Sequence, residues 1–170
     1  GMLIAAEADK AVAAAGGDLS GYNRKVYMFP RNACSWSGLA LVNENPSMAW
    51  INGSFNLKAV GHELGHNLGL RHAHALDCDA SATGDTCTRL PYGDAADLMG
   101  NVRTGDFSSY AKERMGWLND GVSPPILTAD RSGRYTIEPY ASGSVGAKAI
   151  KVPRGTDANG TPLWFYLDYR

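Results

Sequence analysis

All four histidines of the chain lie between positions 62 and 74, in the segment GHELGHNLGLRHAH. His62 and His66 are four residues apart, so on a helix their side chains leave the same face one turn apart. Two imidazoles placed in this way can bind one metal ion at about 2.0–2.1 Å each. Glu63 points to the side of that face, where it can contact a metal-bound water but cannot be a ligand. This His-Glu-x-x-His spacing predicts a zinc hydrolase with Glu63 as its general base.

A third histidine follows the helical pair after a glycine. Gly69 comes three residues after His66, and His72 comes three residues after Gly69. Glycine adopts positive φ at little cost, so it can end the helix and turn the chain back sharply. We therefore expect His72 to bind the same ion from a different direction. Three histidines leave one tetrahedral position open, as a catalytic Zn²⁺ site requires, and Zn²⁺ is the predicted cofactor.

Two other interpretations of the cluster stay open at this point. His-Glu-x-x-His also occurs on ordinary surface helices that bind no metal. If His74 were a fourth ligand, the cluster would be a closed structural zinc site, although its spacing of two residues from His72 is awkward for chelating one ion. We interpret His74 as a loop residue or as a hydrogen-bond partner of a ligand.

The elements predicted around the cluster make up an α+β fold with a mixed sheet. Apolar periodicity and glycine stops predict the helices 2–15, 56–68 and 108–115. The predicted strands are 24–29, 38–43, 47–52, 134–139, 148–153 and 163–170. A turn at Asn159-Gly160 predicts a hairpin between the last two strands. Residues 70–96 form a long polar loop, and loops of that length are often functional.

The composition changes after residue 118, where NDGVSPPILTADRSG is typical of a linker. We therefore predict a catalytic domain over residues 1–118 and a small β-rich segment over residues 119–170. The last predicted strand runs to Arg170 without a closing turn, so we expect the natural protein to continue.

Charge and hydropathy argue against binding to nucleic acids and against a membrane-spanning segment. The net charge is −1 and no basic run stands out, which gives no basis for nucleic-acid binding. No apolar stretch reaches the roughly 18 residues of a membrane span. The N-terminal segment lacks the apolar core of a signal peptide, so a secretion signal would lie outside this sequence. The sequence does not define an oligomeric state.

The three cysteines indicate in which redox compartment the protein resides. Cys78 and Cys87 lie in one polar loop at a spacing that can close a disulfide, and the alternative is two free thiols. A disulfide would imply an oxidising compartment. Cys34 is left over, either buried or paired with a group outside this sequence.

The segment HELGHNLGLRH matches the long zinc motif of the metzincin metallopeptidases, and the chain resembles that clan. The clan also has a Met-turn, a tight turn with a methionine beneath the metal, and YGDAADLMGN places Met99 in the corresponding position. The stretches CSWSGLA, WING, YGDAADLMG and YAKERMGWL make residues 22–118 most similar to the gametolysin (autolysin) type. The resemblance implies a metzincin-like domain with an active-site helix, a Met-turn and a C-terminal helix, followed by the β-rich segment.

The resemblance also implies roles for single residues, and one position departs from it. Met99 would be a packing floor rather than a ligand, and Asp94 and Asp97 would brace the turn through backbone hydrogen bonds. Some metzincins have a tyrosine two residues after this methionine, where the chain has Asn101. Tyr92 is the nearest upstream candidate for such a helper, and the alternative for Tyr92 is loop packing.

In the resembled clan, an extended peptide adds to an exposed strand just before the zinc helix. The segment SMAWINGS occupies that position here, and the alternative is an ordinary edge strand. The residues expected to supply main-chain hydrogen bonds to the substrate are Ala49, Trp50, Ile51 and Asn52.

These observations predict a secreted zinc endopeptidase that hydrolyses peptide bonds of extracellular or cell-wall proteins, with an extended polypeptide as its partner. Zinc would lower the pKa of bound water from 15.7 toward about 7 and stabilise the oxyanion. Glu63 would take the proton of the attacking water and pass it to the leaving amine. One alternative is a zinc amidase acting on cell-wall crosslinks. Another is a non-catalytic cell-surface binding module on a protease fold, although such a module has no need of Glu63.

Overall fold

A computed structural model of the chain describes residues 1–81, 86–101 and 105–170. The chain forms two compact units, Gly1–Asp106 and Phe107–Arg170. The elements of the first unit are α1 (Met2–Ala14), β1 (Arg24–Phe29), β2 (Gly38–Ala40), β3 (Ser47–Asn52), α2 (Leu57–Asn67), β4 (Ala75–Asp77) and β5 (Thr88–Leu90). Those of the second unit are α3 (Ser109–Arg114), β6 (Ile126–Thr128), β7 (Ala149–Thr156) and β8 (Pro162–Asp168). The predicted α+β class with a mixed sheet is confirmed.

The main sheet of the first unit has the strand order β1-β3-β2. Strand β3 is parallel to β1 and antiparallel to β2. Helix α1 packs on this sheet through Ala5, which is buried together with Tyr27 and Trp50. The histidine helix α2 contacts β3 and β2 of this sheet.

The predicted substrate edge at Ala49–Asn52 is wrong, because these residues form the middle strand of the sheet. Strand β3 pairs on both sides, and Ala49, Trp50, Ile51 and Asn52 are all buried. The physical reason is visible in the sequence MAWI, which is apolar on both faces of a strand. Such a continuous apolar run is typical of a strand that is covered on both sides rather than of an edge. Within the described residues the two edges of the sheet are β1 and β2, and β2, the edge that contacts the histidine helix, is shorter than the predicted strand 38–43.

The predicted loop 70–96 contains regular structure in its described part. Strands β4 and β5 pair as an antiparallel ribbon, with Leu76 opposite Arg89. The predicted disulfide between Cys78 and Cys87 is present and joins the residues that directly follow β4 and precede β5. Three-residue strands are too short to show a periodicity in the sequence, which is why the ribbon was not predicted.

In the second unit, β7 pairs in parallel with β6 and antiparallel with β8. The predicted hairpin is confirmed, and the Asp157 amide N–H bonds to the Thr161 carbonyl across its turn. Two differences from prediction concern this unit: β6 lies inside the predicted linker, and residues 134–139 do not form a strand. None of the helices in the described ranges has the length and apolar character needed to cross a bilayer.

The compact second unit begins before α3, whereas the sequence predicts a domain boundary between residues 118 and 119. Leu118 belongs to the second unit because it is buried with Ile126, Tyr140 and Ala149. Whether residues 1–118 form a separate catalytic domain stays a prediction.

Glu113 connects α3, the only helix described in the second unit, to the strands that follow through hydrogen bonds. Its carboxylate accepts hydrogen bonds from Lys151 Nζ at 2.7 Å, from Asn119 Nδ2 at 2.7 Å and from the Tyr166 hydroxyl. Burial alone would raise the pKa of Glu113, but the bonds from Lys151, Tyr166 and Asn119 outweigh it and hold the pKa below its usual value. The ionised carboxylate therefore stabilises this unit.

We predict that Glu113→Gln lowers the free energy of unfolding by about 1–2 kcal/mol at pH 7, because the charged hydrogen bonds are lost. A carboxyl group whose pKa is lower in the folded state stabilises above its unfolded pKa, and this stabilisation disappears as the pH falls. The difference between wild type and variant should therefore shrink below about pH 4.5, as urea unfolding at pH 7 and at pH 4 would show. The exposed Glu7→Gln serves as the control. An equal loss at both pH values would contradict the role given to the charge.

Candidate active site

The histidine helix α2 has defined ends at both termini. Asn56 caps its N-terminus, where its side-chain oxygen accepts a hydrogen bond from the Ala59 amide at 2.9 Å. At the C-terminus Gly69 has φ of +91°, and Leu70 N–H reaches back to the Gly65 carbonyl at 2.9 Å. This is the glycine-ended helix stop in which positive φ reverses the chain. The structure thus places Gly69 at the reversal that the spacing of the motif requires.

The reversal brings His72 to the two helical histidines. One ring nitrogen from each of His62, His66 and His72 lies within 4.8 Å of the other two. The Nε2 atoms of His66 and His72 are 3.0 Å apart. Two nitrogen ligands at about 2.1 Å from one tetrahedral ion are about 3.4 Å apart, so small side-chain shifts suffice to bind one metal. His74 is not among the three converging residues, so its geometry favours the loop interpretation.

The two buried helical histidines are held by backbone carbonyls. His62 Nδ1 lies 2.9 Å from the Leu98 carbonyl, and His66 Nδ1 lies 2.9 Å from the Leu70 carbonyl. Because a carbonyl only accepts, each Nδ1 carries the hydrogen and donates it, and each Nε2 keeps a free lone pair. This is the usual arrangement behind a metal-binding histidine. The sequence did not reveal these partners, because they are main-chain atoms of residues whose side chains are ordinary leucines.

The environment also favours the neutral imidazoles that bind metals. Burial lowers the pKa of His62. Burial, together with repulsion from His66, His62 and His74, lowers the pKa of His72 to about 4. The donor set, its orientation and the neutral state favoured at His62 and His72 therefore fit a metal ion.

A braced turn after the ribbon supports the cluster from its other side. Asp94 Oδ1 accepts hydrogen bonds from the amides of Ala96 and Asp97, and Asp97 Oδ1 accepts one from the Met99 amide at 2.7 Å. The predicted bracing role of Asp94 and Asp97 is therefore confirmed. The Met99 side chain is buried, and its carbonyl accepts a hydrogen bond from Ala73, the residue after His72. The turn thus binds both the helix, through Leu98, and the returning segment, through Met99.

Glu63 is buried beside the histidines, against a residue that was not predicted to be functional. Burial raises the pKa of Glu63 to about 7. A Cβ atom added to Gly38 would lie 2.3 Å from Glu63 Oε1, so the carboxylate occupies space that any side chain at position 38 would fill. The signal was a glycine inside a predicted strand, which often marks a close approach by another group.

An open cleft runs across this group in two halves. One half, of about 400 Å³, and the other, of about 450 Å³, share Gly38, His62, Glu63 and Tyr92. The smaller half includes Ser37, Lys58 and Asn101, and the larger includes Ala40, His72 and Arg89. The mostly buried side chains of His62 and Glu63 therefore border both halves of the cleft.

Tyr92 lies where the two halves of the cleft meet. Its ring centroid is 4.0 Å from that of His72 and 6.0 Å from that of His62. Its φ of +57° is unusual for a bulky residue and is typical of functional sites. Of the two interpretations open for Tyr92, the structure favours the one that brings it to the cluster, whereas Asn101 lines only the smaller half.

Strand β2 forms one wall of the cleft, and no strand of the described ranges pairs with its outer side. Its neighbours Ser37 and Leu41 bond to β3 through the Ser37 carbonyl and the Leu41 amide. Because main-chain groups alternate sides along an antiparallel strand, Gly38 and Ala40 direct their N–H and C=O groups to the unpaired side. This edge, rather than residues 49–52, is available for another strand.

Comparison with known proteins gives one match. A family model described as gametolysin peptidase M11 matches residues 2–139. No curated protein and no solved structure gives a significant match.

We predict that the protein binds one divalent metal ion per chain and that His72→Ala lowers the affinity at least tenfold, because one of three ligands is lost. His74→Ala is the matched control, since it removes a neighbouring imidazole that is outside the converging group. Metal titration followed by elemental analysis measures both. Equal losses for the two variants would indicate a four-histidine site instead.

Proposed function

The chain belongs to the gametolysin peptidase M11 family and is therefore a metallopeptidase, and we propose that it is a secreted zinc endopeptidase with a metzincin-like site. The observation that carries the proposal is the convergence of three histidine nitrogens beside the buried carboxylate of Glu63, in a cleft whose two halves both border Glu63. Family membership favours peptide bonds over cell-wall amide crosslinks and argues against a non-catalytic binding module.

His62, His66 and His72 would hold the ion. Three neutral imidazoles with an open fourth position are the donor set of catalytic Zn²⁺. When bound there, zinc supplies a Lewis acid that makes water acidic and polarises a carbonyl oxygen. The braced turn at Met99 supports the metzincin assignment, because it orients His62 through the Leu98 carbonyl.

Glu63 acts as the proton carrier of the reaction. Its carboxylate removes a proton from the attacking water, and the same oxygen returns that proton to the nitrogen of the departing amine. A base is most effective when its pKa is close to the working pH, and burial raises the pKa of Glu63 to about 7. Gly38 leaves the space in which this carboxylate sits.

The substrate would lie along β2 as an added strand. Gly38 and Ala40 offer outward main-chain groups, and both line the cleft that contains Glu63. Main-chain hydrogen bonds of this kind bind an extended peptide with little regard to its sequence. This proposal replaces the edge predicted at residues 49–52 with the strand next to it.

A secreted location and extracellular or cell-wall protein substrates are further parts of the proposal. The Cys78–Cys87 disulfide supports them, because such bonds persist mainly in oxidising compartments.

We predict that Glu63→Gln lowers kcat about 10²- to 10⁴-fold, because the general base is lost while the shape of the side chain is kept. Metal content should stay at the wild-type level. Hydrolysis of a denatured protein, with and without a chelator, gives the readout. Wild-type turnover by this variant would refute the mechanism.

We predict that Gly38→Ala lowers kcat about tenfold or more, because the added methyl group displaces the Glu63 carboxylate and small misplacements are costly. Zinc affinity and thermal stability should change little. Gly21→Ala is the matched control, since nothing lies within 4 Å of its added Cβ. If Gly38→Ala turned over at the wild-type rate, the carboxylate would not depend on this space.

A further inference from the structure

The two halves of the cleft differ in charge, and the difference bears on the substrate. Arg71 and Arg89 line the larger half, which we call the basic half, together with the histidines. Glu63 is the only carboxylate among the described residues that line it. The smaller half has a single cation, Lys58, among mainly serine and asparagine side chains in the described part of the chain.

Both arginines belong to the first unit. Arg71 lies in the segment that returns from Gly69, next to His72. Arg89 lies on β5, opposite Leu76 of β4, in the ribbon that the Cys78–Cys87 disulfide closes. Gly93 packs against the base of the ribbon, where an added Cβ would lie 2.7 Å from Ala75 Cβ. The ribbon therefore places Arg89 at the wall of this half of the cleft.

Neither guanidinium is neutralised within the described residues. Arg71 and Arg89 are both exposed, and no carboxylate among residues 1–81, 86–101 and 105–170 lies within ion-pair distance of either. Arginines elsewhere can be paired, as Arg170 is with Asp168. Two unpaired like charges at one cleft create a local positive potential that attracts anions.

The wall across the basic half is the free edge of β2. Leu39 and Ala40 line the same cavity of about 450 Å³ as Arg71 and Arg89. A peptide added to β2 would therefore carry its side chains through a cavity with two guanidinium groups that no described carboxylate pairs with. Guanidinium binds carboxylates through two parallel hydrogen bonds, so the matching side chains are aspartate and glutamate.

We propose that the basic half is a specificity subsite for a substrate carboxylate, so that the enzyme prefers polypeptides with Asp or Glu on one side of the scissile bond. The inference rests on the proposed peptidase function and deepens it by naming the class of substrate. Arg71 and Arg89 determine specificity in this account and take no part in the chemistry.

The test uses zinc-loaded full-length protein and pairs of fluorogenic peptides that differ only in Glu against Gln at one position. We expect wild type to have a kcat/KM about fivefold higher for the Glu peptide at one or two positions on one side of the scissile bond. The preference should fall as the salt concentration rises.

Substitutions of Arg71 and Arg89 test whether these two residues cause the preference for the Glu peptide. Arg89→Gln and Arg71→Gln should each reduce it, and the double variant should remove it while the kcat/KM for the Gln peptide stays close to wild type. Arg89→Glu should shift the preference toward a Lys peptide. Arg24→Gln, the same change on β1 at the opposite edge of the main sheet, is the matched control and should leave the preference unchanged.

The failures of the two proposals are distinguishable. Cleavage of all peptides without a Glu preference, or a preference that survives in the double variant, would overturn the subsite and leave the peptidase function intact. If zinc-loaded wild type cleaved no peptide at all, the proposed function would fail and the subsite with it.

Discussion

The reversal of the chain at Gly69 is the constraint on which the rest of the site depends. With φ at +91°, the helix ends within one turn of His66, and the chain comes back across its own last turn. The same reversal exposes the Leu70 carbonyl to His66 Nδ1 and brings His72 Nε2 to His66 Nε2. A side chain at this position would be strained and would also meet Asn43. One backbone conformation therefore sets both the ligands and the hydrogen bonds that orient them.

The buried carboxylate of Glu63 is a second constraint on the fold, because removing an ionised carboxylate from water costs free energy unless the group is paired or neutralised. Burial raises the pKa of Glu63 to about 7, which reduces this cost by favouring the neutral carboxyl, and Gly38 leaves the space beside the histidines in which the group lies. That glycine also belongs to the free edge of β2, where the substrate is proposed to lie. In this proposal the same three-residue strand sets both the substrate position and the position of the base.

The motif residues could be predicted because their chemistry depends on spacing along one helix and one turn. Long elements such as α1, α2 and β3 were predicted because periodicity accumulates over many residues. Periodicity along single elements does not give sheet order, so β3 was mistaken for the edge, although its apolar run MAWI is typical of a strand buried on both faces. The role of Gly38 and the carbonyl partners of the histidines depend on contacts between segments far apart in the chain, which no local pattern encodes. The ribbon was missed because its strands have only three residues each.

The most direct test of the account is a crystal structure of the zinc-loaded protein, with the metal located by anomalous scattering at the zinc edge. The account predicts one ion bound by Nε2 of His62, His66 and His72 at about 2.0–2.1 Å, with its remaining position facing the cleft. An ion bound with His72 turned away, or with a fourth protein atom in the remaining position, would contradict it.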